Sequence, residues 1–153
     1  MLYRLYKAED FAALYAIEEI CFQPPHRFSR GYMRQLIRQR DAATWIAEDD
    51  GRMAGFGIVE WSEGPVGTVA YVQTLEVLPT ARGLGVGGEL LRRLEGTALE
   101  AGTVAIWLHV DVENAAAIRV YERNGYRLGG TEKDYYGRGR AGLVYGKRPV
   151  AEG

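Results

Sequence analysis

The chain has 153 residues, 47% of them hydrophobic and 25% charged, with a formal net charge of −1 at pH 7. That length allows one domain with its own core, and the composition is that of an ordinary globular protein. The near-neutral charge calls for neither nucleic acid nor an anionic membrane surface, no apolar run approaches the ~20 residues of a membrane span, and the lone cysteine, Cys21, excludes an internal disulfide or a cysteine-built zinc cage.

The start, MLYRLYKAEDF, lacks the basic-then-apolar layout of a signal peptide, so the expected location is cytoplasmic. YRLYKAED alternates and predicts a short first strand. Asp10 is placed to N-cap a helix whose apolar face is Leu14, Ile17 and Cys21. QPPHRF ends it, because two prolines cannot continue a helix. Ser29 caps a second helix carrying Met33, Leu36 and Ile37. ATWIAEDDGRMAGFGIVEW is a hairpin signature, two β-rich runs around Asp50-Gly51. GTVAYVQTLEVL is a further strand, stopped by Pro79. The stretch ARGLGVGG follows, then a helix with Leu90, Leu91, Leu94 and Ala98 inward and Gly102 at its C-terminal cap. VAIWLHV is an apolar strand. Asn114 caps a helix over AAAIRVYERN that Gly125 ends, and YRLGGTE and GLVYGKR form a closing hairpin joined by KDYYGRGRA. No repeat or linker interrupts residues 1–153, drawn as one domain. Strand, two helices, three strands, helix, strand, helix, two strands is a mixed α/β layer order with mostly antiparallel strands.

A strand that turns through glycines into a helix offers unpaired backbone N–H groups and the positive end of the helix dipole. Together they make an anion site that a bulky phosphate can approach. A tight turn with close helix–sheet packing is the alternative. Two phosphate motifs fit poorly. A P-loop needs Gly-Lys followed by Ser or Thr, whereas Gly87 and Gly88 precede Glu89. The letters G-x-G-x-x-G occur at residues 83–88, but mid-chain after an antiparallel run.

Arg82-Gly83-Leu84-Gly85-Val86-Gly87 resembles the Arg/Gln-x-x-Gly-x-Gly/Ala signature of the GNAT (Gcn5-related) N-acetyltransferase family. LEVLPTARGLGVGGELL is similar to the family's strand–loop–helix, and NAAAIRVYERNGY to its second signature, where Asn and Tyr flank a short helix. The element order agrees along essentially the whole chain. The ending is most similar to the branch that acetylates protein N-termini, the ribosomal-protein-alanine acetyltransferases. The resemblance implies an α/β (α+β) fold with a mixed, mostly antiparallel, seven-stranded twisted sheet flanked by about four helices. It implies acetyl-CoA as acetyl donor, CoA as product, and no metal. The N–H groups of Gly83, Leu84, Gly85, Val86, Gly87 and Gly88 would cradle the pyrophosphate, with Arg82 opening the motif. The main chain of Leu75, Glu76 and Val77 would pair with the pantetheine arm as a peptide adds to a sheet edge. Asn114 would contact the cofactor as well as cap its helix.

Acyl transfer from a thioester to an amine needs a neutral amine, partners held in line, and a proton for the departing thiolate. Tyr121 matches the family tyrosine that supplies that proton. A phenol with pKa near ~10 can protonate a thiolate whose conjugate acid lies near ~8.5–10. Core packing beside Ala117 and Ile118 is its other reading. The base departs from the family pattern: where the branch carries a glutamate in the strand before the second signature, this chain has His109. A neutral imidazole, pKa near ~6.5, accepts a proton directly or through water; a hydrogen-bonded structural histidine is the alternative. The resemblance implies Glu76 as the other candidate base, because some family members use a carboxylate from the cofactor-binding strand; it alternates with Leu75 and Val77 and faces the side opposite them, and a solvated or structural carboxylate is its other reading.

An α-amine, pKa near ~8, is partly neutral at pH 7, against roughly one lysine side chain in a thousand. A weak base therefore suits an N-terminal amine. In the family, loops corresponding to CFQPPHRFSR and KDYYGRGRA flank the acceptor groove. Phe28 and Arg30 of the first and Tyr135 and Tyr136 of the second are the substrate-binding candidates, and His26, Arg27 and Arg30 give the first loop a positive character. The expected activity is transfer of acetyl from acetyl-CoA to a protein or peptide N-terminus, by a monomer or homodimer. The alternatives are a small-amine acceptor (polyamine, amino acid or drug), a CoA-binding regulatory module that has lost turnover, and a nucleotide-phosphate binder using the same loop.

Overall fold

The computed structural model describes residues 1–148. Its seven strands form one sheet: β1 (Leu2–Leu5), β2 (Ala42–Asp49), β3 (Arg52–Gly64), β4 (Gly67–Val77), β5 (Ala105–Asp111), β6 (Arg127–Glu132) and β7 (Gly142–Lys147), in the order β1-β2-β3-β4-β5-β7-β6. Four α-helices cover it: α1 (Phe11–Cys21), α2 (Arg30–Arg38), α3 (Val86–Glu100) and α4 (Ala115–Arg123). Every neighbouring pair is antiparallel except β4 and β5. This is the expected mixed sheet and element order. A parallel pair needs a crossover, and α3 supplies it between β4 and β5.

The turn chemistry explains the connections. Asp50 and Gly51 both take positive φ, 55° and 80°, as a two-residue hairpin between right-twisted strands requires. Ser29 caps α2 by accepting from the Tyr32 N–H, and Asn114 caps α4 by accepting from the Ala117 N–H. Asp10 departs from expectation. It immediately precedes α1, but its carboxylate is turned to Arg4, at 2.7 and 2.8 Å, and to the Lys7 N–H. The Arg4 guanidinium holds the Asp10 carboxyl below its ordinary range. The competing partner was a charge from β1, and charge-assisted bidentate pairing is the stronger bond.

Alternation along the strands divides the core into two layers. Leu90, Leu91, Leu94 and Ala98 of α3 are fully buried, and Leu91, Leu94 and Ala98 pack against Val59, Ala70, Val72, Ile106 and Leu108. On the other face Leu14, Ile17, Met33 and Leu36 of α1 and α2 cover Ile46, Phe56 and Ile58. Gly57 lets α3 approach: a methyl group there would sit 2.8 Å from Leu94 Cδ1. The α1–α2 layer packs on β2, β3 and, through Glu18 and Cys21, the C-terminal end of β4, while Glu60, Tyr71 and Trp107 on the same face border an open recess.

Candidate active site

The central parallel pair does not stay paired. β4 and β5 are in register from Val69↔Ala105 to Val72↔Leu108 and then part, β4 running on to Val77 and β5 to Asp111. A register shift in β4 assists the divergence: Val72 pairs with Val59 and Thr74 with Ile58, so Gln73 is the extra residue of a bulge. The gap opens into a cleft of about 740 Å³, whose walls include Leu75 of β4, His109 and Asp111 of β5, and Asn114 and Tyr121 at α4.

The glycine stretch lies between β4 and α3. Gly83 and Gly85 take φ of +80° and +79°, which only glycine adopts freely, and a methyl group at either would meet nothing within 4 Å. These two glycines therefore serve backbone conformation rather than crowded packing. The first hydrogen bond into α3 is from Glu89 N–H to the Gly85 carbonyl. The N–H groups of Gly83, Leu84, Gly85, Val86, Gly87 and Gly88 have no acceptor among the described residues. Six consecutive free donors at the positive end of a 15-residue helix fit an anionic diphosphate. Val86 anchors the loop by burying its side chain with Ala47 and Leu90. Arg82 is structural in this arrangement, since its Nε donates to the Val77 carbonyl at 3.1 Å. That contact occupies one of the main-chain acceptors at the end of β4, while Leu75 borders the cleft.

The catalytic candidates separate into two groups. Tyr121 is buried, borders the cleft, and its hydroxyl makes no hydrogen bond to the described residues. Burial, and then the neighbouring Glu76, push its phenol well above the ordinary range, so it is a neutral proton donor. Glu76 faces α1, opposite Leu75 and Val77 as alternation requires. There it meets Glu18, a residue the sequence reading did not single out. Both are buried, at 3% and 1% exposure. Glu76 Oε2 accepts from Thr74 Oγ1 at 2.6 Å, and Glu18 Oε2 accepts from the Phe28 N–H at 3.0 Å. The remaining Oε1 of each has no partner. One proton shared between the two satisfies both oxygens. Burial first, and then Glu18, push the Glu76 carboxyl well up. Glu76 is not among the residues bordering the cleft, so it is not placed to take a proton from an amine bound there.

His109 is placed differently. Its Nδ1 lies 2.7 Å from Tyr71 Oη and its Nε2 3.0 Å from Glu132 Oε1. A carboxylate only accepts, so Nε2 carries the proton, and Nδ1 accepts from the Tyr71 hydroxyl. The ring stacks on Tyr135 with centroids 4.1 Å apart. Burial, and then the Tyr135 hydroxyl, hold the Tyr71 phenol above its usual range. Tyr71 and Glu132 are thus functional candidates that sequence reading missed. Their signal is the cross-strand register, which no local pattern displays.

Of the loop residues, Phe28, Tyr135 and Tyr136 border the cleft. Arg30 does not: its guanidinium lies 4.5 Å above the Tyr15 ring, and Arg27 donates to the Phe22 and Glu19 carbonyls. Of the three residues expected to give the first loop its positive character, His26 borders the cleft, while these contacts engage Arg27 and Arg30. The closing loop is tied to the entrance of α4 by Arg140, which pairs with Asp111 and with Glu113. Among the described residues no group of three or more His, Cys, Asp or Glu gathers to hold a metal ion, and no helix is long and apolar enough to cross a membrane.

Known proteins resemble this chain in sequence and in fold. An uncharacterized N-acetyltransferase of Methanocaldococcus jannaschii is 32% identical over a 157-residue alignment covering 100% of this chain and 96% of that one. The ribosomal-protein-S18-alanine N-acetyltransferase of Escherichia coli superposes with a TM-score of 0.82 at 22% identity, covering 99% of this chain and 96% of its own. An aminoglycoside 6'-N-acetyltransferase complexed with coenzyme A superposes with a TM-score of 0.84 at 14% identity, over 100% and 99% of the two chains. Residues 11–126 match the profile of the acetyltransferase (GNAT) family. The chain belongs to that family and is an acetyl-CoA-dependent N-acetyltransferase.

Proposed function

We propose that the acceptor is the N-terminal α-amine of a protein or peptide, and that Tyr71, His109 and Glu132 remove its proton. The observation that carries this reading is the hydrogen-bonded chain from Tyr71 Oη through His109 to Glu132, set beside the cleft. The amine proton passes to Tyr71 Oη as the Tyr71 proton moves to His109 Nδ1. Glu132 stabilises the imidazolium so formed. A phenol held above its usual range does not ionise alone, so the transfer depends on histidine taking the second proton. This relay generates no strong base, which suits an amine already partly neutral near pH 8. The cleft's open continuation toward Tyr32 and Tyr135 suits an extended chain.

The free N–H groups of residues 83–88 would hold the pyrophosphate of acetyl-CoA, and the unpaired edge of β4 at Leu75 and Glu76 its pantetheine arm. Acetyl-CoA supplies the activated acetyl thioester. Tyr121, which borders the same cleft as His109, holds the proton that the departing thiolate needs. The test is free-thiol release with a panel of acceptors: short peptides with free N-termini, α-blocked lysine, spermidine and an aminoglycoside. The reading expects turnover with the free N-termini above all. Turnover of spermidine or the aminoglycoside without any peptide would replace it with a small-amine acceptor.

A further inference from the structure

Beside the cleft, on the same open face of the sheet, lies a second recess of about 410 Å³. The two share Tyr32, Tyr71, Gln73, His109 and Tyr135 in their walls, so the recess continues the groove. Its floor is one row across three strands: Glu60 of β3 is opposite Tyr71 of β4, which is opposite Trp107 of β5. The Tyr71 and Trp107 rings lie 4.5 Å apart, inclined at 58°. Glu60 is the one acidic residue bordering this recess among the described residues. Its Oε1 accepts from Gln73 Nε2 at 2.6 Å, and no lysine or arginine of the described residues pairs with it.

A half-buried carboxylate without a counter-ion, bordered by aromatic faces, attracts a cation twice over. The charge pairs with it, and the ring quadrupoles add to the attraction. An acidic group would be repelled there, and a neutral one would leave the carboxylate unpaired. Adjacent strands lie ~4.8 Å apart, so Glu60 is about 10 Å across the sheet from the strand carrying His109. An extended peptide advances ~3.3–3.6 Å per residue, which brings a long side chain at its second or third position to Glu60.

We infer that this recess is a subsite for a cationic side chain, lysine or arginine, at the second or third residue of the acceptor. The inference rests on the proposed peptide acceptor. A polyamine presents a second ammonium of the same chemistry, and the experiment separates the two sources. Three conjugates join CoA through an acetyl bridge to the amine of Ala-Lys-Ala, of Ala-norleucine-Ala, or of spermidine. Calorimetry measures their binding, with no turnover required, to the wild type and to Glu60→Gln. The lysine conjugate is expected to bind about five- to tenfold tighter than the norleucine one. In Glu60→Gln that ratio falls below about twofold, and in the wild type it shrinks as salt rises. Because a ratio is read, any general loss in the variant cancels. Equal binding of both peptide conjugates, each tighter than CoA, removes the cation subsite and keeps the peptide acceptor. A lysine preference that survives Glu60→Gln overturns the assignment to Glu60. If neither peptide conjugate binds tighter than CoA, the peptide acceptor fails and the subsite with it. A spermidine conjugate that binds tightest, and loses its advantage in Glu60→Gln, overturns the peptide source.

Discussion

Replacing Glu76 by glutamine tests the shared proton directly. Glu76 is buried against Glu18, with Thr74 beside it on β4 and with Cys21 of α1 and Tyr121 of α4 near. Its carboxyl is raised in the fold by burial and by Glu18. A raised carboxyl contributes stability that is fully present below the unfolded value, near ~4.3, and is lost as pH rises toward the folded value. The loss proceeds at up to about 1.4 kcal/mol per pH unit for one proton. Glutamine has nearly the same shape: its oxygen accepts from Thr74, and its amide donates to the orphaned Glu18 Oε1 at every pH. The difference in stability between Glu76→Gln and the wild type therefore grows from about pH 4.5 upward, in favour of the variant, until Glu76 ionises in the folded protein. Asp10, held low by Arg4, weakens both proteins alike at acid pH and drops out of the difference. Urea unfolding followed by tryptophan fluorescence across pH 4.5 to 7.5 measures it. Parallel stability curves, or a variant that loses ground as pH rises, would refute the shared proton.

Other consequences are sharper on activity or packing. Tyr71→Phe and His109→Ala each remove a link of the proposed proton chain and should lower kcat by about 10²–10⁴-fold; equal, non-additive losses in the double variant, read in steady-state assays, are the expected signature. Gly87 lies in the first turn of α3, and a methyl group there would meet Val77 Cγ2 at 3.7 Å, an ordinary contact. Gly87→Ala should therefore hold or raise stability, by up to about 1 kcal/mol, read in urea unfolding against the wild type. Leu94→Ala opens a cavity in the fully buried α3 face and should cost about 2–5 kcal/mol in chemical denaturation.

Features encoded locally were readable in the chain. The inward stripe of α3, the Asp50-Gly51 hairpin, the Ser29 and Asn114 caps and the glycine stretch all depend on residues a few positions apart. What was not readable depends on registers between distant segments. Tyr71 and His109 are 38 positions apart and meet because β4 and β5 pair in parallel over four residues before parting. Glu18 and Glu76 meet because α1 crosses above the end of β4. Seen locally, Glu18 is one of two adjacent glutamates on an amphipathic helix, where a solvated carboxylate is the ordinary outcome. Arg30 was assigned to the groove from its loop, and an aromatic ring on α1 drew it aside. Glu60 gave no signal at all: a strand glutamate gains meaning once its neighbours across the sheet are Tyr71 and Trp107.

The most direct test of the central claim is to locate the acetyl group on a product. A peptide carrying one free α-amine and one internal lysine is incubated with the protein and acetyl-CoA, and the product is fragmented by mass spectrometry. The account predicts acetyl on the α-amine, with the lysine unmodified and CoA thiol released in equal amount. Acetyl on the lysine alone, or thiol release with no modified peptide, would contradict it.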